Sequence, residues 1–163
     1  MNSILFGVIA LELILVSFID LKTLKISNLW VLLNIGVFVL LSLLVPSIYQ
    51  WDWNHFIFPV GFIFFGFILF LLDIMGAGDS KYLASLFLIV PLEYHYVYFE
   101  KLVQATLIVG ALLLTKTLIV HRQKLKAYFY SRYWKGVRDT IRSRFSYGPV
   151  MLLGWLLLGV SLW

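Results

Sequence analysis

Two aspartates are the residues of this chain with the clearest capacity for chemistry. Asp79 sits in the run Gly76-Ala77-Gly78-Asp79-Ser80-Lys81, at the end of a strongly apolar segment. Asp20 stands at the matching depth, where the first apolar segment runs out into Asp20-Leu21-Lys22-Thr23-Leu24-Lys25. A carboxylate so close to hydrocarbon is costly, because hydrocarbon does not solvate it. Glycines at 76 and 78 let the backbone bend and let other groups approach, as residues with a Cβ cannot. Two acids held close cannot both ionise. Their pKa values split, leaving one carboxylate to draw a proton from water and one acid to protonate a scissile carbonyl. This is aspartyl hydrolysis, with no covalent intermediate and no cofactor, and its need for water places the acids at a helix mouth. The plainer reading makes each aspartate a helix-end acid on a solvated loop. The Gly-x-Gly geometry and the shared face weigh against it.

Other groups compete for attention. Asp73, six residues before Asp79, is the main rival as a second acid, although its place ahead of the glycine turn suits a loop cap or a partner for Lys81. Glu12, inside the first apolar run, is a functional suspect by its membrane cost, with hydrogen bonding inside the bundle as the favoured alternative. His55 and His95 fall in connections on one side and His121 on the other, so no metal constellation gathers them. Ser80 lacks a Gly-x-Ser-x-Gly elbow and a nearby histidine. Gly-Ala-Gly-Asp lacks the third glycine of a dinucleotide fingerprint. With no cysteine in the chain there is no disulfide, thiol nucleophile or cysteine zinc site.

The elements that must position the aspartates are apolar. The chain has 163 residues, 62% of them hydrophobic and 13% charged, and a mean hydropathy of +0.95. A soluble domain of this size cannot bury so much apolar surface. Six runs emerge: Ser3–Ile19, Leu29–Val45, Phe56–Leu72, Tyr82–Leu92 with an extension to Tyr98, Leu102–Val120 and Tyr147–Trp163. Each approaches the roughly 20 residues that span a bilayer core. The expected fold is an all-α, polytopic membrane helix bundle of about six spans, forming one domain over residues 1–163. Ser3–Ile19 lacks the basic start of a signal peptide and carries Glu12, so it reads as a retained helix.

Charge gives the orientation. Alternating connections put 20–28, 73–81 and 121–146 on one face, with twelve of the 13 basic residues on or just inside it; Lys101 alone lies opposite. Positive loops stay in the cytoplasm, so Asp20 and Asp79 are expected at the cytoplasmic surface. The net charge of +5 is then a topology signal rather than a nucleic-acid footprint. Apolar residues recur every four positions from Leu125 to Phe145. That spacing fits an amphipathic helix lying on anionic headgroups, or more plainly a loop whose charge fixes topology.

The aspartates also sit in recognisable company. Gly76-Ala77-Gly78-Asp79-Ser80-Lys81 resembles the Gly-x-Gly-Asp-x-Lys signature of type IV prepilin peptidases, which are membrane aspartyl proteases. Asp20 followed by Ile26-Ser27-Asn28 resembles their first motif, an Asp six residues ahead of Ile-Pro-Asn. Tyr147-Gly148-Pro149 is similar to the aromatic-Gly-Pro start of their final span. The resemblance implies Asp20 and Asp79 as the catalytic pair, with Gly76, Gly78, Lys81 and Asn28 in supporting roles. Lys81 would orient Asp79 or the substrate, and Ser27 in place of proline would loosen the turn after Asp20. The absence of a methyltransferase region and its cysteine tetrad resembles the minimal peptidases of Flp (tight-adherence) pili.

The implied substrate is a pilin-like precursor, cleaved to remove its short basic leader at the cytoplasmic membrane face. The implied surroundings are the lipid bilayer, without cofactor, metal or nucleic acid; nothing in the sequence sets an oligomeric state. A different class stays open: a non-catalytic subunit of a pilus or secretion apparatus, or a small proton-coupled transporter using Glu12 and Asp73. Transporters more often place ionisable groups near the midplane and show repeat symmetry.

Overall fold

The computed structural model describes residues 3–71, 75–120 and 146–162, with no strand among them. Among the described residues there are six α-helices: α1 (Ser3–Thr23), α2 (Asn28–Leu44), α3 (Trp53–Leu71), α4 (Ala77–Ile89), α5 (His95–Val120) and α6 (Gly148–Leu162). A short 3-10 turn, Leu92–Tyr94, precedes α5. The all-α bundle expected from the apolar runs is therefore present. Asp73 and residues 121–145, including the four-residue apolar pattern, lie outside the described residues.

Local chemistry sets the helix ends. Ser27 caps α2, its hydroxyl accepting from the Leu29 N–H at 3.2 Å, and α2 stops just before Pro46. Pro91 ends α4 by forcing Val90 into an extended conformation, φ −77° and ψ 129°. That break corrects the fourth run: Tyr82 to Tyr98 is not one helix. The stretch from His95 onward opens α5 instead. At the other boundary α1 continues beyond Ile19 to Thr23, so Asp20 belongs to its last turn rather than to the following connection.

Burial is arranged as lipid requires. Phe64, Phe65, Phe67 and Leu112 are exposed, whereas Glu12, Asn34, Ser85, Asp20 and Asp79 are buried. Ionisable and polar groups in a membrane bundle face its interior in this way. α1, α3 and the segment Leu92–Val120 are long and apolar enough to cross a membrane, while α2 and α6 are shorter apolar helices. α4 is shorter still, with nine of its 13 residues buried.

α4 packs between α2 and α3, and α6 packs between α1 and α5. The bundle thus consists of two three-helix groups, each built round a central helix. Small residues let the helices close up, as in membrane bundles generally. A Cβ on Gly66 of α3 would collide with Ser80 of α4, and one on Gly154 of α6 would lie 3.1 Å from Leu102 Cα in α5. Because α4 ends inside the protein, its last carbonyls cannot turn to water. Side chains from three places satisfy them. His55 Nε2 donates to Leu88 O, the Tyr49 hydroxyl to Ile89 O and His95 Nε2 to Val90 O, each at 2.9 Å. The helix whose first turn carries Asp79 is thereby held at its far end.

Candidate active site

Asp20 occupies the last turn of α1 and is 1% exposed. Its Oδ2 accepts from the Ser146 hydroxyl at 2.7 Å and from the Gly148 N–H at 2.8 Å. Gly148 is the first residue of α6, so the unsatisfied N–H groups and positive dipole end of that helix face the carboxylate. The fit is close. A Cβ on Gly148 would lie 3.0 Å from Ser17 Cα and 3.1 Å from Asp20 Oδ2. Beyond Asp20 the chain turns at Leu24, whose φ of 52° is in the left-handed region, and whose N–H donates to Asp20 O at 2.8 Å.

Asp79 lies in the first turn of α4 and is 7% exposed. Its Oδ2 accepts from the Gly76 N–H at 3.2 Å, so the carboxylate reaches back to the residue that precedes the helix. A Cβ at Gly76 would come within 3.0 Å of that oxygen, and one at Gly78 within 2.8 Å of the Ile26 carbonyl oxygen. The start of α4 is thus seated on the connection that follows Asp20. Burial first, then the negative charge of Asp20, pushes the Asp79 carboxyl up to about 6, with the Gly76 N–H pulling the other way. Tyr147 also belongs to this cluster, since the charge of Asp79 acts on it, and its hydroxyl meets Thr106 Oγ1 at 2.9 Å. Two buried acids on different helices, electrostatically coupled and with one carboxyl disposed to keep its proton, can divide the roles of base and acid in hydrolysis.

The remaining expected residues are placed differently. Ser80 is buried and packs on Gly66 of α3. Lys81 is exposed, and among the described residues it makes no ion pair with Asp79. Asn28 is exposed at the start of α2. Ser27 caps the next helix. Glu12 is buried and accepts from the Tyr82 hydroxyl at 2.9 Å, inside the bundle as favoured. Among the described residues no three His, Cys, Asp or Glu side chains gather as metal ligands. His55 and His95 do meet, with ring centroids 5.1 Å apart, but they serve as caps for α4.

The type IV leader peptidase family matches residues 7–120, a stretch that contains both Asp20 and Asp79. The chain belongs to this family. No curated protein and no solved structure matches it. A type IV leader peptidase is a protease, of the aspartic type in this family. The match stops before α6, so the Gly148 N–H that meets Asp20 is contributed from outside the matched stretch.

Three residues that hold the peptidase's buried acids had no chemical signal of their own in the sequence. Ser146 looked like the end of a basic loop, Ile26 like part of a turn, and Tyr82 like the start of an apolar run. Each matters through packing: Ser146 and Gly148 are 126 and 128 residues from Asp20. The Tyr-Gly-Pro resemblance pointed to Gly148, without indicating that its N–H meets Asp20.

Proposed function

We propose that this peptidase is a multi-pass enzyme of the cytoplasmic membrane that removes the short basic leader of type IV pilin-like precursors, working from the cytoplasmic side. Asp20 and Asp79 are its catalytic residues. The observation that carries this reading is the coupling of two buried acids from different helices, with Asp79 raised to about 6 by burial and by Asp20. In the proposed reaction the Asp20 carboxylate takes a proton from a water molecule, which attacks the scissile carbonyl carbon. Asp79 gives its proton to the carbonyl oxygen; on collapse of the tetrahedral intermediate the C–N bond breaks, Asp20 passes its proton to the leaving amine, Asp79 takes its proton back from the hydroxyl, and the leader departs with the new carboxyl group. No cofactor is needed for these steps.

The position of the acids at the ends of apolar helices supports this substrate class. A pilin-like precursor offers an apolar helix within the bilayer and a basic leader in the cytoplasm. Cleavage at that boundary calls for acids at that boundary, and the basic connections give the orientation. The test is co-expression with a pilin-like precursor from the same genome. Leader removal is expected with the wild-type chain, as a drop in precursor size, and is expected to vanish with Asp79→Asn. A precursor that stays full length beside a well-expressed wild-type chain would contradict the substrate assignment.

A further inference from the structure

Below the two aspartates, a second set of polar groups joins the same helices. Glu12 lies two turns before Asp20 on α1, and Tyr82 lies one turn after Asp79 on α4. Glu12 is 9% exposed and Tyr82 is fully buried. The Tyr82 hydroxyl donates to Glu12 Oε1 at 2.9 Å, crossing directly from one three-helix group to the other. Asn34 of α2 also interacts with both Glu12 and Tyr82. Its Nδ2 donates to Ser85 Oγ at 3.2 Å, and the Ser85 hydroxyl in turn donates to Tyr82 O at 2.8 Å. Asn34 Oδ1 is buried without a donor. Nothing in the proposed hydrolysis uses this cluster, yet burying a carboxyl and an amide in a bundle is expensive unless they are well paired.

We infer that the Glu12–Tyr82 hydrogen bond fixes the separation of α1 and α4, so that Glu12 is a positioning residue acting on Asp20 and Asp79 through Tyr82. The proposal rests on the assignment of those two aspartates as the catalytic pair. The contacts around them leave α1 and α4 only modestly joined: α4 belongs with α2 and α3, and α1 with α6. Near the acids the backbone contact is that of Gly78 with Ile26; the other directional contacts between the groups lie farther along, at the His95 cap of Val90 and the ring contacts of Phe87 with Tyr98 and of Phe58 and Phe62 with Phe99. Apolar packing of α1 on α4 in the shared core and a backbone abutment are both non-directional, and leave α1 free to make small displacements against α4. A hydrogen bond below the abutment removes that freedom.

Loosening this connection has a predictable electrostatic consequence. Asp79 faces Asp20 from α1 and Tyr147 from the start of α6. α2 brings no titratable side chain, and α3 brings only His55, which caps the opposite end of α4. If α1 moves away from α4, water enters and the charge of Asp20 recedes, and both changes lower the affinity of Asp79 for its proton. A change that merely reduced the amount of folded protein would lower the rate and leave the pH profile in place.

The experiment is the pH profile of kcat/KM for leader removal by the full chain in lipid vesicles, comparing wild type with Tyr82→Phe, Glu12→Leu and Glu12→Gln. Tyr82→Phe and Glu12→Leu each remove the hydrogen bond. Glu12→Gln keeps a carbonyl acceptor for Tyr82. The expected result is an alkaline limb displaced to lower pH in the first two variants, by roughly threefold or more in proton affinity, and restored in Glu12→Gln. Tyr82→Phe carries the test alone if Glu12→Leu does not accumulate in the membrane. An unmoved limb in Tyr82→Phe overturns the positioning role while leaving the catalytic pair intact. Full cleavage by Asp79→Asn, run in parallel, would instead remove the pair on which the role rests.

Discussion

Gly78 and Ile26 meet backbone to backbone: a Cβ added at Gly78 would lie 2.8 Å from the Ile26 carbonyl oxygen and 3.5 Å from its nitrogen. Gly78 precedes Asp79 and Ile26 follows Asp20 by six residues, so this contact governs how near the acids come. No described glycine has a positive φ. Close approach, rather than an unusual turn, is what position 78 requires.

Bulk at position 78 is therefore expected to reduce cleavage in proportion to its size. Gly78→Ala should push the helix start away from Ile26, at an overpacking cost of about 1–3 kcal/mol, and Gly78→Val should lose more. Gly61→Ala is the control, because nothing lies within 4 Å of a Cβ there. Initial rates at matched membrane expression check the series. Indifference at position 78 would mean the contact has no bearing on the acids.

Asp79 should cost the fold stability at neutral pH. Its carboxyl is raised from 3.8 to about 6, so between those values the folded chain holds a proton that the unfolded chain has released. The stabilising contribution is complete below 3.8 and is lost as pH rises through about 6. Asp79→Asn has no charge to bury and should be more stable at pH values well above 6, by at most about 3 kcal/mol, with the advantage gone in acid. Thermal unfolding in detergent at both extremes of pH measures this. A variant less stable than wild type at neutral pH would contradict the burial argument.

Ser27 caps α2 at φ −70°, an angle that proline also adopts. Ser27→Ala should destabilise by about 1 kcal/mol through the lost cap. Ser27→Pro should be tolerated in both folding and cleavage, since the ring fits the backbone and restricts the unfolded chain. Unfolding temperatures and cleavage rates of the two variants decide the matter. A collapse of activity with proline alone would show that the Ser27 N–H is needed or that the ring does not fit there.

Much of this arrangement was legible in the sequence, for physical reasons that also explain what was not. Asp20 and Asp79 stood out because an acid at the end of an apolar run is costly, and the apolar runs themselves marked the helices. Hydropathy failed between Tyr82 and Tyr98 because apolar residues continue across Pro91; the proline, through its effect on Val90, places the break. The pairing of His55 with His95 and the meeting of Gly148 with Asp20 depend on which helices pack together, and no local pattern records that. Gly78 was noticed both for bending and for close approach, and the structure uses the second.

Orientation can be read with single cysteines in this cysteine-free chain. Lys25 and Gln50 are exposed and lie in the connections after α1 and α2. With the basic connections in the cytoplasm, Gln50→Cys should react with a membrane-impermeant thiol reagent from outside intact cells, and Lys25→Cys only after permeabilisation. Labelling of Lys25→Cys in intact cells would reverse the proposed orientation.

The central claim is that Asp20 and Asp79 act together in hydrolysis, and one comparison tests it most directly. Wild type, Asp20→Asn and Asp79→Asn would be purified, reconstituted into vesicles at equal density and given a pilin-like precursor. The account predicts leader removal by wild type alone, because an amide can neither take a proton from water nor give one to the carbonyl. Both variants should remain inserted and folded. Cleavage near the wild-type rate by either Asn variant would contradict the account.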